Sequence, residues 1–167
     1  MEQYALYLVM KQQLLNIDSS FKCSFNDMDS NRPNSVGIRV KSGGTPRRRE
    51  ISTGSYYNYT ARVQFDILGN NSKASLMSVL SLASRLRNTL QNCSNKVFYV
   101  QDEQVKWVNG AIVYDPDGSL VGSDIEVILC KVALLGEVDS KGKTGQGLPR
   151  YSLNIRAEYY VKDKEEN

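Results

Sequence analysis

The chain has 167 residues, 41% of them hydrophobic, with 21 basic side chains against 18 acidic ones, a net charge of +3. That length supports one domain with a real core and is short for two, and the modest charge is far from that of a dedicated nucleic-acid domain. Histidine is absent, which excludes Ser-His-Asp and Cys-His nucleophile systems, HExxH zinc sites and imidazole bases.

At the N-terminus, Tyr4, Leu6, Tyr7, Leu8, Val9, Met10, Leu14 and Leu15 predict a helix over residues 2–16. Its apolar surface is wider than the ~100° stripe that one core face needs, so Leu6 and Met10 are expected to meet another subunit. The apolar run that starts at Tyr4 follows Glu2 rather than a basic segment and fails as a signal peptide. No run reaches the ~20 apolar residues of a membrane span, and a soluble chain made in a reducing compartment is expected. The three cysteines, Cys23, Cys93 and Cys130, are too far apart in sequence for a CxxC pair and read as free core thiols.

The period then changes to two. Val36, Ile38 and Val40 alternate with Gly37, Arg39 and Lys41, and Ala61, Val63, Phe65 and Ile67 alternate with Arg62, Gln64 and Asp66. Between these strands lies the densest basic run of the chain, Arg47-Arg48-Arg49, among Gly, Ser and Thr. Residues 43–58 are too long for a tight hairpin and read as a projecting arm. A solvated loop and a nucleic-acid clamp, with Tyr56, Tyr57 and Tyr59 as a stacking platform, are the alternatives.

Leu76, Val79, Leu80, Ala83, Leu86 and Leu90 mark a second amphipathic helix, with Asn71 or Ser72 as its N-cap. Residues 97–100 read as a strand, and residues 105–108 and 111–114 flank Asn109-Gly110 as a hairpin. Residues 125–135 read as a strand of uncertain register, and residues 151–161 as a long one in which Tyr151, Leu153, Ile155, Ala157, Tyr159 and Val161 share a face. The order predicts an α+β domain over residues 1–162, an antiparallel sheet of about four strands with two helices packed on one face. Residues 163–167 form a short charged tail.

Two loops resemble chemical motifs and fail on spacing. Asp115-Pro-Asp-Gly, with Asp124 and Glu126 beyond, lacks the regular ligand interval of a calcium loop. The GKT triplet at residues 142–144 would need glycine at position 137 to make a phosphate loop, and that position is Glu137. No catalytic, cofactor or metal residue is assigned.

The stretch "LLGEV", residues 134–138, followed by a flexible loop and "GLPRYSLNIRAEYYV", residues 147–161, resembles the ending of the tail terminator and minor capsid proteins of long-tailed bacteriophages. There an Ile/Leu-Gly-Asp/Glu turn and a variable loop lead into a strand of the form Tyr-Ser-Leu-Asn. "YTARVQFDILGNNSKASLMSVLSLASRLRNTL", residues 59–90, is similar to the family's strand, polar turn and amphipathic helix. Two features depart from the pattern: residues 139–145 are longer and more basic than the family's turn, and residues 104–124 look like an insertion.

The resemblance implies a structural virion protein without catalysis or cofactor. It would be a ring subunit, typically one of six, that caps the tail tube, stops its growth and offers the joining surface for the head. The partners implied are further copies of the chain, the tail tube protein and a neck or head-completion protein, with DNA passing through the channel without specific binding and no membrane contact. Assembly in the host cytoplasm follows, with residence in the tail or neck of the virion. Arg47, Arg48, Arg49, Tyr56, Tyr57, Leu6 and Met10 are the expected contacts between subunits or rings. Another neck or head-tail completion protein is the alternative, and a cellular nucleic-acid-binding module is the rival from a different class.

Overall fold

A computed structural model describes residues 2–27, 33–44, 47–51, 54–69, 74–93, 96–101, 104–105, 107–108, 111–112, 125–136, 139–143 and 147–163. In chain order the elements are α1 (Glu2–Ile17), β1 (Lys22–Phe25), β2 (Ser35–Ser42), β3 (Arg47–Ile51), β4 (Gly54–Leu68), α2 (Ala74–Gln91), β5 (Lys96–Gln101), β6 (Gln104–Val105), β7 (Trp107–Val108), β8 (Ala111–Ile112), β9 (Ile125–Leu134), β10 (Asp139–Lys143) and β11 (Pro149–Asp163). The chain is α+β. The expected caps Asn71 and Ser72 and the turn at residues 115–118 lie outside the described residues.

The sheet is larger than the four antiparallel strands read from the sequence, and it is mixed. Its main path runs β1-β2-β4-β11-β9-β5-β6, with β3 also on β4 and β10 also on β11. From β2 to β5 every pairing is antiparallel, while β1 joins β2 in parallel, Cys23 opposite Val36 and Phe25 opposite Ile38. The chain reaches that edge through Asn26 and Asn34, both left-handed at φ 55° and 59°, a conformation in which Asn is enriched among non-glycine residues. Asn26 then ties the edge down, its amide donating to the Ile38 carbonyl while its side-chain oxygen accepts from the Val40 amide. Of the hairpin expected over residues 105–108 and 111–114, β7 pairs with β8, Trp107 opposite Ile112 and Val108 opposite Ala111, whereas Val105 pairs with Val100 of β5; residues 106, 109, 110, 113 and 114 lie outside the described residues.

One face of the sheet is the core face. Val36, Ile38 and Val40 of β2 stand opposite Ile67, Phe65 and Val63 of β4, which stand opposite Tyr151, Leu153 and Ile155 of β11. These residues join α1 and α2 in one buried cluster. On α2, Leu86 and Leu90 are buried and Ser81, Arg85 and Asn88 exposed, as the helical spacing requires.

The wide apolar surface of α1 has a different cause from the one expected. Ala5, Leu6, Tyr7, Leu8, Val9 and Met10 are all buried, with Leu6 and Met10 at 0% exposure. A helix that is apolar all round is a buried helix. α1 lies against the sheet on one side and α2 on another, and Tyr4, Tyr7 and Phe25 close a third side with ring centroids 5.0–5.6 Å apart. Leu6 and Met10 therefore belong to the subunit's own core and are withdrawn from contact with a neighbour. At the helix end, Arg85 of α2 donates to the Ile17 carbonyl at 3.3 Å, and the Ser20 hydroxyl and amide hold the Asp18 carboxyl below its usual range.

The cysteines are free, but only Cys93 is fully buried; Cys23 and Cys130 are half-buried. Burial pushes the Cys23 thiol up to about 11. Because thiolate is the nucleophile, Cys23 in the native chain should alkylate with iodoacetamide at pH 8 about 10- to 100-fold more slowly than in the urea-unfolded chain, following the upward shift. Site-resolved mass spectrometry of the labelled chain checks this, and equal rates would show the thiol to be open. The burial contributes stability below the unfolded thiol range that is lost as pH rises toward the folded value.

Candidate interaction surface

The arginine-bearing segment is not the long loop expected from the sequence. β3 pairs with the start of β4 from Arg47 opposite Asn58 to Ile51 opposite Gly54, so two residues, 52 and 53, join the strands. β2 ends against the same side of β4 at Ser42 opposite Ala61. β2 and β3 are thus two stretches of one ribbon along β4, interrupted at residues 43–46. At that break the Gly43 amide donates to the Thr60 carbonyl at 2.6 Å, and a Cβ on Gly43 would come within 3.0 Å of that oxygen. Glycine is the residue that permits so close a backbone approach.

The far end of the ribbon leaves the sheet. β11 follows β4 only as far as Val161 opposite Tyr57, yet continues on β9 to Asp163 opposite Ile125. Beyond Tyr57 the β3–β4 hairpin has lost β11 as a neighbour. Within the expected projection at residues 43–58, the two-stranded part thus carries Arg49 and Tyr56, while Arg47, Arg48 and Tyr57, 43% exposed, stand at its base, where β11 still pairs with Asn58 and Tyr57. Tyr59 does not join an exposed aromatic platform: it stacks on buried Tyr159 with centroids 5.5 Å apart.

β10 mirrors this arrangement on the other long strand. The segment expected to be a flexible loop pairs with β11, Asp139 opposite Ser152 and Ser140 opposite Tyr151. It continues the side of β11 that β9 leaves at Leu134. Gly136 of the LLGEV turn makes the break at φ 81°.

The second face of the sheet is polar, and sequence reasoning overlooked it. Arg39, Gln64 and Asn154 form one cross-strand row, and Lys41, Arg62 and Arg156 the next. The last three are exposed. Beyond them Thr60, Glu158 and Lys131 form a row in which Glu158 lies 4.0 Å from Arg156. At the other end Asp66, between Gly37 and Ser152, is fully buried. Its carboxylate accepts from Gln64 Nε2 at 3.0 Å and lies 3.2 Å from Arg39 Nε and 3.7 Å from Arg150 Nη2. The Arg39 contact is an ion pair rather than an aligned hydrogen bond. The signal for this face was present in the alternate residues of the two best strands; it needed only their register.

Among the described residues no three metal-ligating side chains come together, and no helix is long and apolar enough to cross a membrane. No protein-family model matches the chain, and a search of curated proteins finds no similar sequence.

Proposed function

We propose that this chain is a structural subunit that closes into a ring, in the manner of the tail terminators of long-tailed bacteriophages, and grips its neighbour with the β3–β4 ribbon. The observation that carries the reading is the departure of that ribbon from β11 past Tyr57. A two-stranded hairpin with no third strand is marginal in water. A chain that extends one, with Arg49 in it and Arg47 and Arg48 at its base, has a use for it in a partner that completes the ribbon and neutralises the charge. The order of elements from α1 to the long final strand β11 supports the same reading, as does the LLGEV turn before it.

A ring requires two different complementary patches on each subunit, related by a rotation that closes. Arg47, Arg48, Arg49, Tyr56 and Tyr57 supply one such patch; Leu6 and Met10 do not. Head joining and tail-tube capping would follow from the ring's two ends, with the tail tube protein and a neck protein as neighbours.

Sedimentation and negative-stain imaging of the concentrated protein test the proposal. Closed rings are the expected result, and replacement of Arg47, Arg48 and Arg49 together by Ala should shift the population to monomer. The variant should keep its melting temperature within a few degrees, since ion pairs of arginine in water contribute about 0–1 kcal/mol each. Monomer at every concentration would overturn the ring, and rings that survive the triple substitution would overturn the role of the ribbon.

A further inference from the structure

The row Lys41–Arg62–Arg156 works against the fold that carries it. The three residues are direct register partners on β2, β4 and β11, and like charges placed directly opposite destabilise a sheet. All three are exposed, on the face opposite α1 and α2, so the core gains nothing from them. The acids nearby are already matched. Glu158, 4.0 Å from Arg156, stands opposite Lys131, and the fully buried Asp66 is shared by Arg39 and Arg150. Farther along the same face Glu126 and Lys162 are register partners, and Asp139 of β10 lies 2.8 Å from Lys141. The row is what stays uncompensated.

Its surroundings say what kind of partner would compensate it. Gln64 and Asn154 flank the row on one side and Thr60 on the other, all half-buried, and Ala133 continues it on β9. No aromatic or large apolar side chain stands among them. The core of a protein–protein interface is depleted in charge and enriched in aromatic residues. A nucleic-acid interface is polar and strongly positive, with arginine, lysine, threonine, asparagine and glutamine donating to phosphate oxygens, and this patch is built from those types. Strands about 4.8 Å apart set Lys41 and Arg156 about 10 Å from each other. The same length of duplex axis carries about six phosphates, enough for each cation to meet one. The net charge of +3 understates such a face, because the field depends on where the charges lie.

We propose that the helix-free face of the sheet, centred on Lys41, Arg62 and Arg156, binds the phosphate backbone of double-stranded nucleic acid without reading its sequence. Phosphates relieve the repulsion that the row carries in the free chain, and Gln64, Asn154 and Thr60 supply neutral donors beside it. A single strand is the poorer occupant, because bound single strands stack their bases on aromatic rings and these rows hold none. The assignment needs no ring, since one chain carries all three cations.

Fluorescence anisotropy of a labelled duplex of mixed sequence tests this. Three phosphate contacts release about 2.7 counterions, so affinity for the native chain should fall about 40-fold between about 50 and 200 mM salt. Lys41→Gln with Arg62→Gln and Arg156→Gln should weaken binding at the lower salt about 10- to 100-fold and flatten the salt dependence, each lost contact taking about 1 from the slope. Lys41→Arg keeps the charge and should bind like the native chain. The triple variant should melt no lower than the native chain, since it removes the row's own repulsion. That keeps misfolding apart from lost contact.

Duplex binding that the triple substitution leaves unchanged would overturn the proposal, as would a native chain that binds no duplex at the lower salt. Self-association that the triple variant loses, in a native chain that binds no duplex, would assign the face to an acidic protein surface instead. Rings that bind no duplex would leave the ring reading in place and remove this one. Duplex binding by a chain that stays monomeric at every concentration would do the reverse.

Discussion

Leu6→Ala should lower the unfolding free energy by about 2–5 kcal/mol, the cost of deleting a fully buried leucine and leaving part of its volume empty. Leu6 is at 0% exposure in the core that the sheet and the two helices share, as is Met10 one turn further along. Domains of this size hold about 5–15 kcal/mol in total, so the single truncation removes a large share. Met10→Glu should go further and prevent folding, because a carboxylate placed in a cluster with Val9, Leu14 and Ile38 has no counter-charge to meet. Urea denaturation followed by circular dichroism, with assembly measured separately, checks both. If these side chains instead faced another subunit, Leu6→Ala would leave the monomer's denaturation midpoint where it is and change only the oligomer.

Arg39→Ala combined with Arg150→Ala should destabilise the chain by about 2–4 kcal/mol, and Asp66→Asn by less, about 1–2 kcal/mol. The asymmetry follows from burial. Asp66 is fully enclosed, whereas Arg39 and Arg150 keep 40% and 35% of their side-chain surface in water. Removing both arginines leaves a carboxylate to which, among the described residues, Gln64 Nε2 alone donates, so its desolvation goes uncompensated. Removing the carboxylate charge leaves two guanidinium groups that water still reaches, and an asparagine oxygen can keep the Gln64 hydrogen bond. The upper figure sits below the usual cost of breaking a buried pair because solvent screens the exposed ends. Equal losses for the two variants, in denaturant titrations at one pH and salt, would show that the arginines matter only through packing.

Much of the fold could be read from the sequence because those elements carry their own pattern. α1 and α2 are periodic at helical spacing, and β2, β4 and β11 alternate cleanly because one face meets the core and the other meets water. The strand from Ile125 to Leu134 resisted such reading for a specific reason. Ile125, Val127 and Leu129 share one phase, Val132 and Leu134 the other, and β11 steps from Glu158 to Tyr159 while β9 steps over Cys130. One extra residue, a bulge at Cys130, inverts the alternation midway, and no single-strand pattern fits both halves.

The candidate surfaces divide along the same line. That the segment bearing Arg47 to Arg49 stands apart from the core was legible, since it is polar, rich in glycine and flanked by alternating strands. That it is a ribbon was not: Arg-Arg-Arg-Glu-Ile has no apolar alternation of its own, and β3 exists because the long strand β4 offers it backbone partners. β10, with the sequence Asp-Ser-Lys-Gly-Lys, is a strand for the same reason, on β11. The charged row needed register above all. Lys41, Arg62 and Arg156 lie far apart in the chain, and only the pairing of β2, β4 and β11 sets them side by side. By itself the sequence determined which residues are apolar and at what period, hence the helices, the three clean strands, the α+β class and the chemistry that the lack of histidine forbids. The tertiary structure alone decided where surplus apolar surface goes, which polar segments become strands and which charges become neighbours, because burial and pairing depend on contacts between residues that the chain order keeps apart.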